Sequence, residues 1–368
     1  MKKILILSEH IFPKQTPRAN RATELAIQLA KVGYQVTLCA VLGSYDYAIF
    51  QEKHNLRVKN LNLNWQYAPN TSDLKSRRYF IDKLLNKLFH KFFEYPLIEF
   101  YFKIPQLIKK IEKQDVLISI AVPHQIHWGC ARAKLLNPSS FPKTWIADSG
   151  DPYFINIGNE KYKNKFAKKE KLVFEKCNYY TVPFDKAKEN YKKLDPRKLK
   201  VIPQGFNFEI PAINNYKPLN KIPTFIYCGS FYADFRNPIP FLDYLSKLSF
   251  DFKFVVYTLN FEMVQDFVPK LRNKIQLKNY IPREELLKEL SKYDFLINFE
   301  NVELPGLLPS KLIDYAIADR PILSLNTSDL NTQLVSEFFK GNYEKRLLIN
   351  NLENYQINNV AQRFVDLF

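Results

Sequence analysis

The chain has 368 residues, 46% hydrophobic and 15% aromatic, enough to fill the cores of two ordinary α/β domains and unlike the composition of a disordered chain. Its formal net charge of +17, from 54 Lys and Arg against 37 Asp and Glu, is compatible with an anionic membrane surface or with a merely lysine-rich surface. Nucleic acid is disfavoured as a partner, because the basic residues are interleaved with glutamates and no helix-turn-helix, zinc-finger or RNP-like pattern occurs.

The first element is the strand Lys3–Leu7 in MKKILILSEH, whose apolar run is too short and lacks the small-residue cleavage site of a signal peptide. Further strands are expected at Gln35–Ala40, Val116–Ile120, Trp145–Asp148, Tyr180–Val182 and Val201–Pro203, each separated from the next by a longer, mostly amphipathic segment. A second series follows at Thr224–Cys228, Lys253–Tyr257, Lys274–Leu277, Phe295–Phe299 and Ile322–Leu325. This alternation predicts an α/β protein with two Rossmann-like domains, residues 1–204 and 224–349, facing across a cleft. The polar, proline-bearing stretch 205–223 reads as the linker, and 350–368 as a terminal helix. No apolar run reaches the roughly 18 residues that a spanning helix needs. The four cysteines, Cys39, Cys130, Cys177 and Cys228, are scattered through apolar or helical stretches, as buried thiols in a reducing cytoplasm would be.

Several segments carry candidate chemistry. After the first strand, Thr16-Pro17-Arg18 leads into a helix with Arg21; the two arginines are either phosphate contacts or ordinary charges at a helix start. In Lys75 to Pro96, Lys83, Lys87 and Lys91 recur beside an apolar stripe of Phe80, Leu84, Leu88 and Phe92, as in a helix lying on anionic lipid or one packed on its own domain. VPHQIHWGCARAKL offers His124 and His127, either of which could hydrogen-bond a sugar hydroxyl or move a proton. In WIADSGDPY, Asp148 and Asp151 end a strand as metal ligands, caps or acceptor contacts. In IYCGSFYADFRNP, Gly229-Ser230 after a strand exposes backbone amides, and Arg236 could neutralise phosphate. In LLPSKLIDYAIADRPILSL, Pro309 begins a helix on which Ser310, Lys311 and Asp314 follow. A cation beside orphan amides at the positive end of a helix suits a diphosphate, and Asp314, one turn on, suits sugar hydroxyls.

The last segment resembles the donor-binding segment of family 4 glycosyltransferases of the GT-B fold, whose usual form is Pro-Ser-Lys-Leu-x-Glu-Tyr, with Asp314 in place of the Glu. The other segments match the family as a series of short stretches along nearly the whole chain. They depart from it at the missing glycine pair near Thr16, at Gln204 and Asn207 in VIPQGFNFE, and at Gly306, where the family's first acid would stand; Glu300 and Glu303 lie upstream instead. The resemblance implies sugar transfer from a nucleotide diphosphate sugar to a glycan or lipid-linked acceptor in bacterial surface polysaccharide synthesis, with retained anomeric configuration. No metal and no cofactor beyond the nucleotide sugar is implied. Catalytic roles fall to Arg236, Lys311 and His127, and donor binding to Gly229, Ser230, Glu303, Ser310 and Asp314. Arg18, Arg21, His124, Asp148 and Asp151 fall on the acceptor side. The expected location is cytoplasmic, with peripheral attachment to the inner face of the cell membrane. A UDP-N-acetylglucosamine 2-epimerase of the same fold would need cleft acids and histidines in patterns absent here. A non-catalytic GT-B subunit that binds a partner glycosyltransferase is the stronger rival.

Overall fold

The computed structural model of the chain describes residues 1–64, 94, 96–150, 153, 160–191, 194–209, 216–233, 236–300 and 310–368. They form two compact units, Met1–Asn207 with Gln356–Phe368, and Phe208–Tyr355.

In the first unit the strands are β1 (Lys3–Leu7), β2 (Gln35–Ala40), β3 (Arg57–Asn60), β4 (Val116–Ala121), β5 (Thr144–Ser149), β6 (Tyr179–Val182) and β7 (Leu199–Val201). They form one parallel sheet in the order β3-β2-β1-β4-β5-β6-β7. Central strands such as VLISIA are buried on both faces, which is why they read as continuous apolar runs. The helices are α1 (Pro17–Lys31), α2 (Ala48–His54), α3 (Glu99–Lys110), α4 (Gln125–Leu136) and α5 (Glu160–Lys176). Thr16 caps α1 by accepting from the Ala19 amide, Pro17 opens it, and Gly33 in the left-handed region closes it. Leu25, Ala26 and Leu29 on α1 pack beneath the sheet with Ile4, Ile6 and Leu38.

The second unit holds β8 (Thr224–Cys228), β9 (Lys253–Tyr257), β10 (Ile275–Lys278), β11 (Phe295–Phe299) and β12 (Ile322–Leu325), parallel in the order β10-β9-β8-β11-β12. Its helices are α6 (Ile239–Ser246), α7 (Phe267–Lys270), α8 (Arg283–Leu290), α9 (Ser310–Ile317) and α10 (Thr332–Phe339). Aromatic stacking dominates this core: Phe225 lies 4.8 Å from Phe254 and 4.9 Å from Phe295, ring centre to ring centre. The chain runs outward from β8 in one direction to β10 and in the other to β12. A crevice at the carboxyl ends of β8 and its neighbours is where such sheets bind ligands.

The final helix, α11 (Ile357–Val365), belongs to the first unit. Its Val360, Ala361 and Phe364 join the core beneath α1, and the Ile357 amide donates to Phe206 O at 2.8 Å. Gly205 makes this approach possible: a Cβ there would sit 2.7 Å from Ile357 Cδ1 and 3.1 Å from Val360 Cβ. Gly205 is thus a close-packing residue.

Four sequence expectations change. The stretch 205–223 is not a free linker, because 205–207 pair within the first unit and 216–223 are bound into the second. There the buried carboxylate of Asp294 accepts from the amides of Leu219, Asn220 and Thr224, and Tyr216 donates to Asp319. The strand expected at Val201–Pro203 ends at Val201, since Ile202 O and Pro203 O instead accept from Arg21. Helix α11 begins at Ile357, well after residue 350. Edge strand β3 escaped notice because RVKN is polar and mostly exposed. Nearly all of the basic segment Lys75 to Pro96 lies outside the described residues, and none of the described helices is long and apolar enough to cross a membrane.

Candidate functional site

The site in the second unit is built where β8 ends. Gly229, at φ +148°, turns the chain away from the sheet in a conformation that side chains rarely adopt. Its amide donates to Tyr257 O at 3.0 Å, so the expectation that Gly229 offers a free N–H to a ligand is corrected. Ser230 follows, and its carbonyl is held by the buried Tyr227 hydroxyl at 2.9 Å. Helix α9 is brought to the same place by Tyr315, fully buried, whose hydroxyl accepts from the Cys228 amide at 2.8 Å.

Lys311, in the first turn of α9, is the most unusual charge in this unit. Its Nζ is buried with no hydrogen-bond partner among the described residues and lies 4.6 Å above the Tyr227 ring. Burial first, and then the nearby Arg236 guanidinium, push its ammonium down to about 7. Arg236 is fixed by a two-way backbone pairing with Tyr232 and sits over the Tyr232 ring. Arg236 is thus close enough to bear on the Lys311 ammonium, whose charge an anion would favour.

Next to Lys311 opens a cavity of about 240 Å³ at the carboxyl ends of β8, β9 and β10. Polar Ser230, Lys311 and Asp314 and the larger apolar or aromatic side chains of Tyr280, Ile281 and Leu286 line it together. Asp314 Oδ1 accepts from Arg283 Nε at 2.7 Å and lies 2.7 Å from Arg283 Nη2. Burial raises the Asp314 carboxyl, and the charge and hydrogen bond of Arg283 oppose that rise. Sequence reading missed Tyr280, Ile281, Leu286, Arg283 and the role of Tyr315. The one available signal was NYIPREELL, a proline-led helix start directly after a strand. Ser310 opens α9, while Glu303 lies outside the described residues.

In the first unit the structure redistributes the expected roles. Arg21 is buried, and its Nε and Nη2 donate to the two oxygens of Asp148 at 2.5 and 2.6 Å. Two further N–H groups donate to Ile202 O and Pro203 O, and the Phe364 ring of α11 lies beneath it. Asp148 also accepts from Thr181. Burial pushes the Asp148 carboxyl up, but Arg21, Arg18 and Thr181 together hold it below its ordinary value. Arg21 and Asp148 are therefore a buried clamp joining α1, β5, β6 and α11, which commits four of the five N–H donors of Arg21 inside the fold.

His127 is likewise corrected from a cleft-facing group to a core residue. It is 1% exposed, with Nδ1 2.8 Å from Ser119 Oγ, and Ser119 also accepts from Trp145 Nε1. Burial, reinforced by His124, pushes its imidazole down to about 3. His124 is also buried, its ring packed edge-on to Tyr153. Arg18 lines a surface cavity of about 460 Å³ together with Glu9, His10 and Thr16. Its guanidinium lies over Gly150, where any Cβ would collide with it. Asp151 lies outside the described residues. The cysteines are all buried, and burial pushes the Cys228 thiol up to about 12. Among the described residues no three His, Cys, Asp or Glu side chains gather as metal ligands.

No family model matches this sequence, and no curated protein matches it. Solved structures do. A glycosyltransferase from Rickettsia africae is 14% identical with a TM-score of 0.60, covering 100% of this chain and 97% of its own. The lipopolysaccharide outer core galactosyltransferase WaaB is 11% identical with a TM-score of 0.62, covering 99% of this chain and 98% of its own. The UDP-GlcNAc 2-epimerase of Neisseria meningitidis, bound to UDP-GlcNAc, is 12% identical with a TM-score of 0.55, covering 99% of both chains. The fold is thus the two-domain α/β GT-B fold.

Proposed function

We propose that the protein is a glycosyltransferase that moves a sugar from a nucleoside diphosphate sugar to a glycan or lipid-linked acceptor. The observation that carries this reading is Lys311: a buried ammonium without a hydrogen-bond partner among the described residues, beside a second cation, in the lining of a partly apolar cavity. A diphosphate supplies the partner that the Lys311 ammonium lacks among the described residues. The side chains of Tyr280, Ile281 and Leu286 suit a flat base, and Asp314, in the same lining, suits the hydroxyls of a ribose. UDP is the first nucleotide to try, since the Neisseria epimerase of this fold binds UDP-GlcNAc.

Chemically, leaving-group departure places growing negative charge on the diphosphate. Arg236, Lys311 and the amino end of α9 stabilise it there, so that no metal is required. A diphosphate oxygen accepts the proton of the attacking hydroxyl, which makes a protein base unnecessary and fits retention of configuration. The burial of His127 supports leaving it out of the proton path. The enzyme would work in the cytoplasm, with its +17 charge favouring the anionic inner face of the membrane.

The second reading, a non-catalytic subunit, is favoured by Gln204, Asn207 and Gly306, which replace polar or acidic family residues. Incubation with UDP-glucose, UDP-galactose and UDP-GlcNAc separates the two. Release of UDP, by hydrolysis or by transfer to a supplied acceptor, supports the enzyme; tight UDP binding without turnover of any sugar supports the subunit.

A further inference from the structure

Arg283 links two segments that line the cavity, the loop Tyr280–Ile281 through its backbone and Asp314 of α9 through its side chain. It is the first residue of α8 and follows Tyr280, Ile281 and Pro282 directly, so its backbone continues the loop that forms part of the apolar lining. Its partner, Asp314, lies one turn from Lys311 on α9, the helix that carries the cation. A guanidinium fork commonly spans both oxygens of a carboxylate. Here Nε and Nη2 both converge on Oδ1, and Oδ2 takes no hydrogen bond among the described residues. The pair is only partly exposed, with 28% of the Arg283 side chain and 16% of the Asp314 side chain accessible.

We infer that Arg283 is a positioning residue for nucleotide recognition: it fixes Asp314 so that Oδ2 accepts from the ribose hydroxyls, and it ties the loop beneath the base to the helix beneath the diphosphate. This rests on the nucleotide-sugar reading above and adds to it a residue and a selectivity. A carboxylate fixed in this way discriminates ribonucleotides from deoxyribonucleotides, because a deoxyribose leaves one of its lone pairs without a donor in a part-buried site. The side chain of Asp is one carbon shorter than the Glu of the resembled family. A fixed position therefore matters more here, since Asp has less reach with which to adjust. Without the guanidinium, burial would favour the protonated carboxyl, which is a poorer acceptor.

The test is calorimetric binding of UDP, GDP and ADP, each beside its 2′-deoxy counterpart, and of inorganic pyrophosphate. It compares the native protein with Arg283→Gln and Arg283→Lys, after thermal melts establish that the variants fold. The native protein is expected to prefer the ribonucleotide about tenfold or more. Arg283→Gln should reduce that preference to about twofold while leaving pyrophosphate affinity unchanged, because Lys311 and Arg236 are intact. Arg283→Lys should restore part of it. In Arg283→Gln the ribose preference should also return as pH rises and Asp314 regains its charge, a dependence that loss of packing alone would not produce. Full ribose preference in Arg283→Gln, or equal loss of pyrophosphate and nucleotide binding, would overturn the inference. A native protein that binds a nucleoside diphosphate without ribose preference overturns the inference alone; one that binds no nucleotide overturns the parent reading too.

Discussion

At the scale of single residues, Lys311 decides most. Replacing either Lys311 or Arg236 with Ala is expected to lower turnover about a hundredfold, the scale of losing one group that stabilises developing charge. Near-native rates in steady-state assays of both variants would remove the diphosphate from this position. The depressed ammonium also makes a prediction about pH. Free protein loses the Lys311 proton near pH 7, whereas a bound diphosphate holds it on, so binding above pH 7 takes up a proton and weakens as pH rises. Below about pH 7 the lysine is already charged and this dependence vanishes. Calorimetry of UDP binding at pH 8 in two buffers of different ionisation enthalpy measures the uptake directly. Zero uptake would mean that Lys311 does not meet the anion. The residue types at this place were legible in the sequence because Ser310, Lys311 and Asp314 are neighbours on one helix. Arg21 and Asp148 were misread because their partnership spans 127 positions, and nothing local reveals that an arginine at a helix start is paired inside the fold.

At the scale of elements, the Arg21–Asp148 clamp holds α1, β5 and α11 in register. Breaking a buried pair leaves one charge without its partner, so Asp148→Asn and Arg21→Ala should each destabilise the first unit by about 3–5 kcal/mol. Asp148 has its carboxyl depressed in the folded state. Its stabilising contribution is therefore present above the ordinary carboxylate range and is lost as pH falls through the folded value. Urea unfolding followed from pH 7 down into the acid range below pH 4 measures both effects, and the pH dependence should be smaller in Asp148→Asn. A stability loss under about 1 kcal/mol would reduce the clamp to a surface-like pair. Most strands were legible because strands buried on both faces must be apolar throughout. The polar edge strand β3 carried no such signal. Nor did the docking of 216–223, which depends on Asp294 reaching back across the sequence to three amides.

At the scale of the whole molecule, two units with separate cores share the chain, and α11 returns to the first unit through the space that Gly205 leaves. The alternation of strand and helix made this architecture readable, while the apolar lining of the cavity was invisible until β10 and α8 were placed together. Because the cations at the cavity are protein side chains, activity should survive EDTA. Loss on chelation with rescue by magnesium or manganese would mean that a divalent ion shares the diphosphate. The most direct measurement of the central claim is the melting temperature of the native protein and of Lys311→Ala with UDP, GDP and ADP. A nucleoside diphosphate at a hundred times its Kd stabilises a one-site protein by about 2.7 kcal/mol. The account predicts that at least one of these diphosphates raises the native melting temperature, that its nucleoside does not, and that Lys311→Ala loses the rise. An unchanged native melting temperature with every diphosphate, or an equal rise in Lys311→Ala, would contradict it.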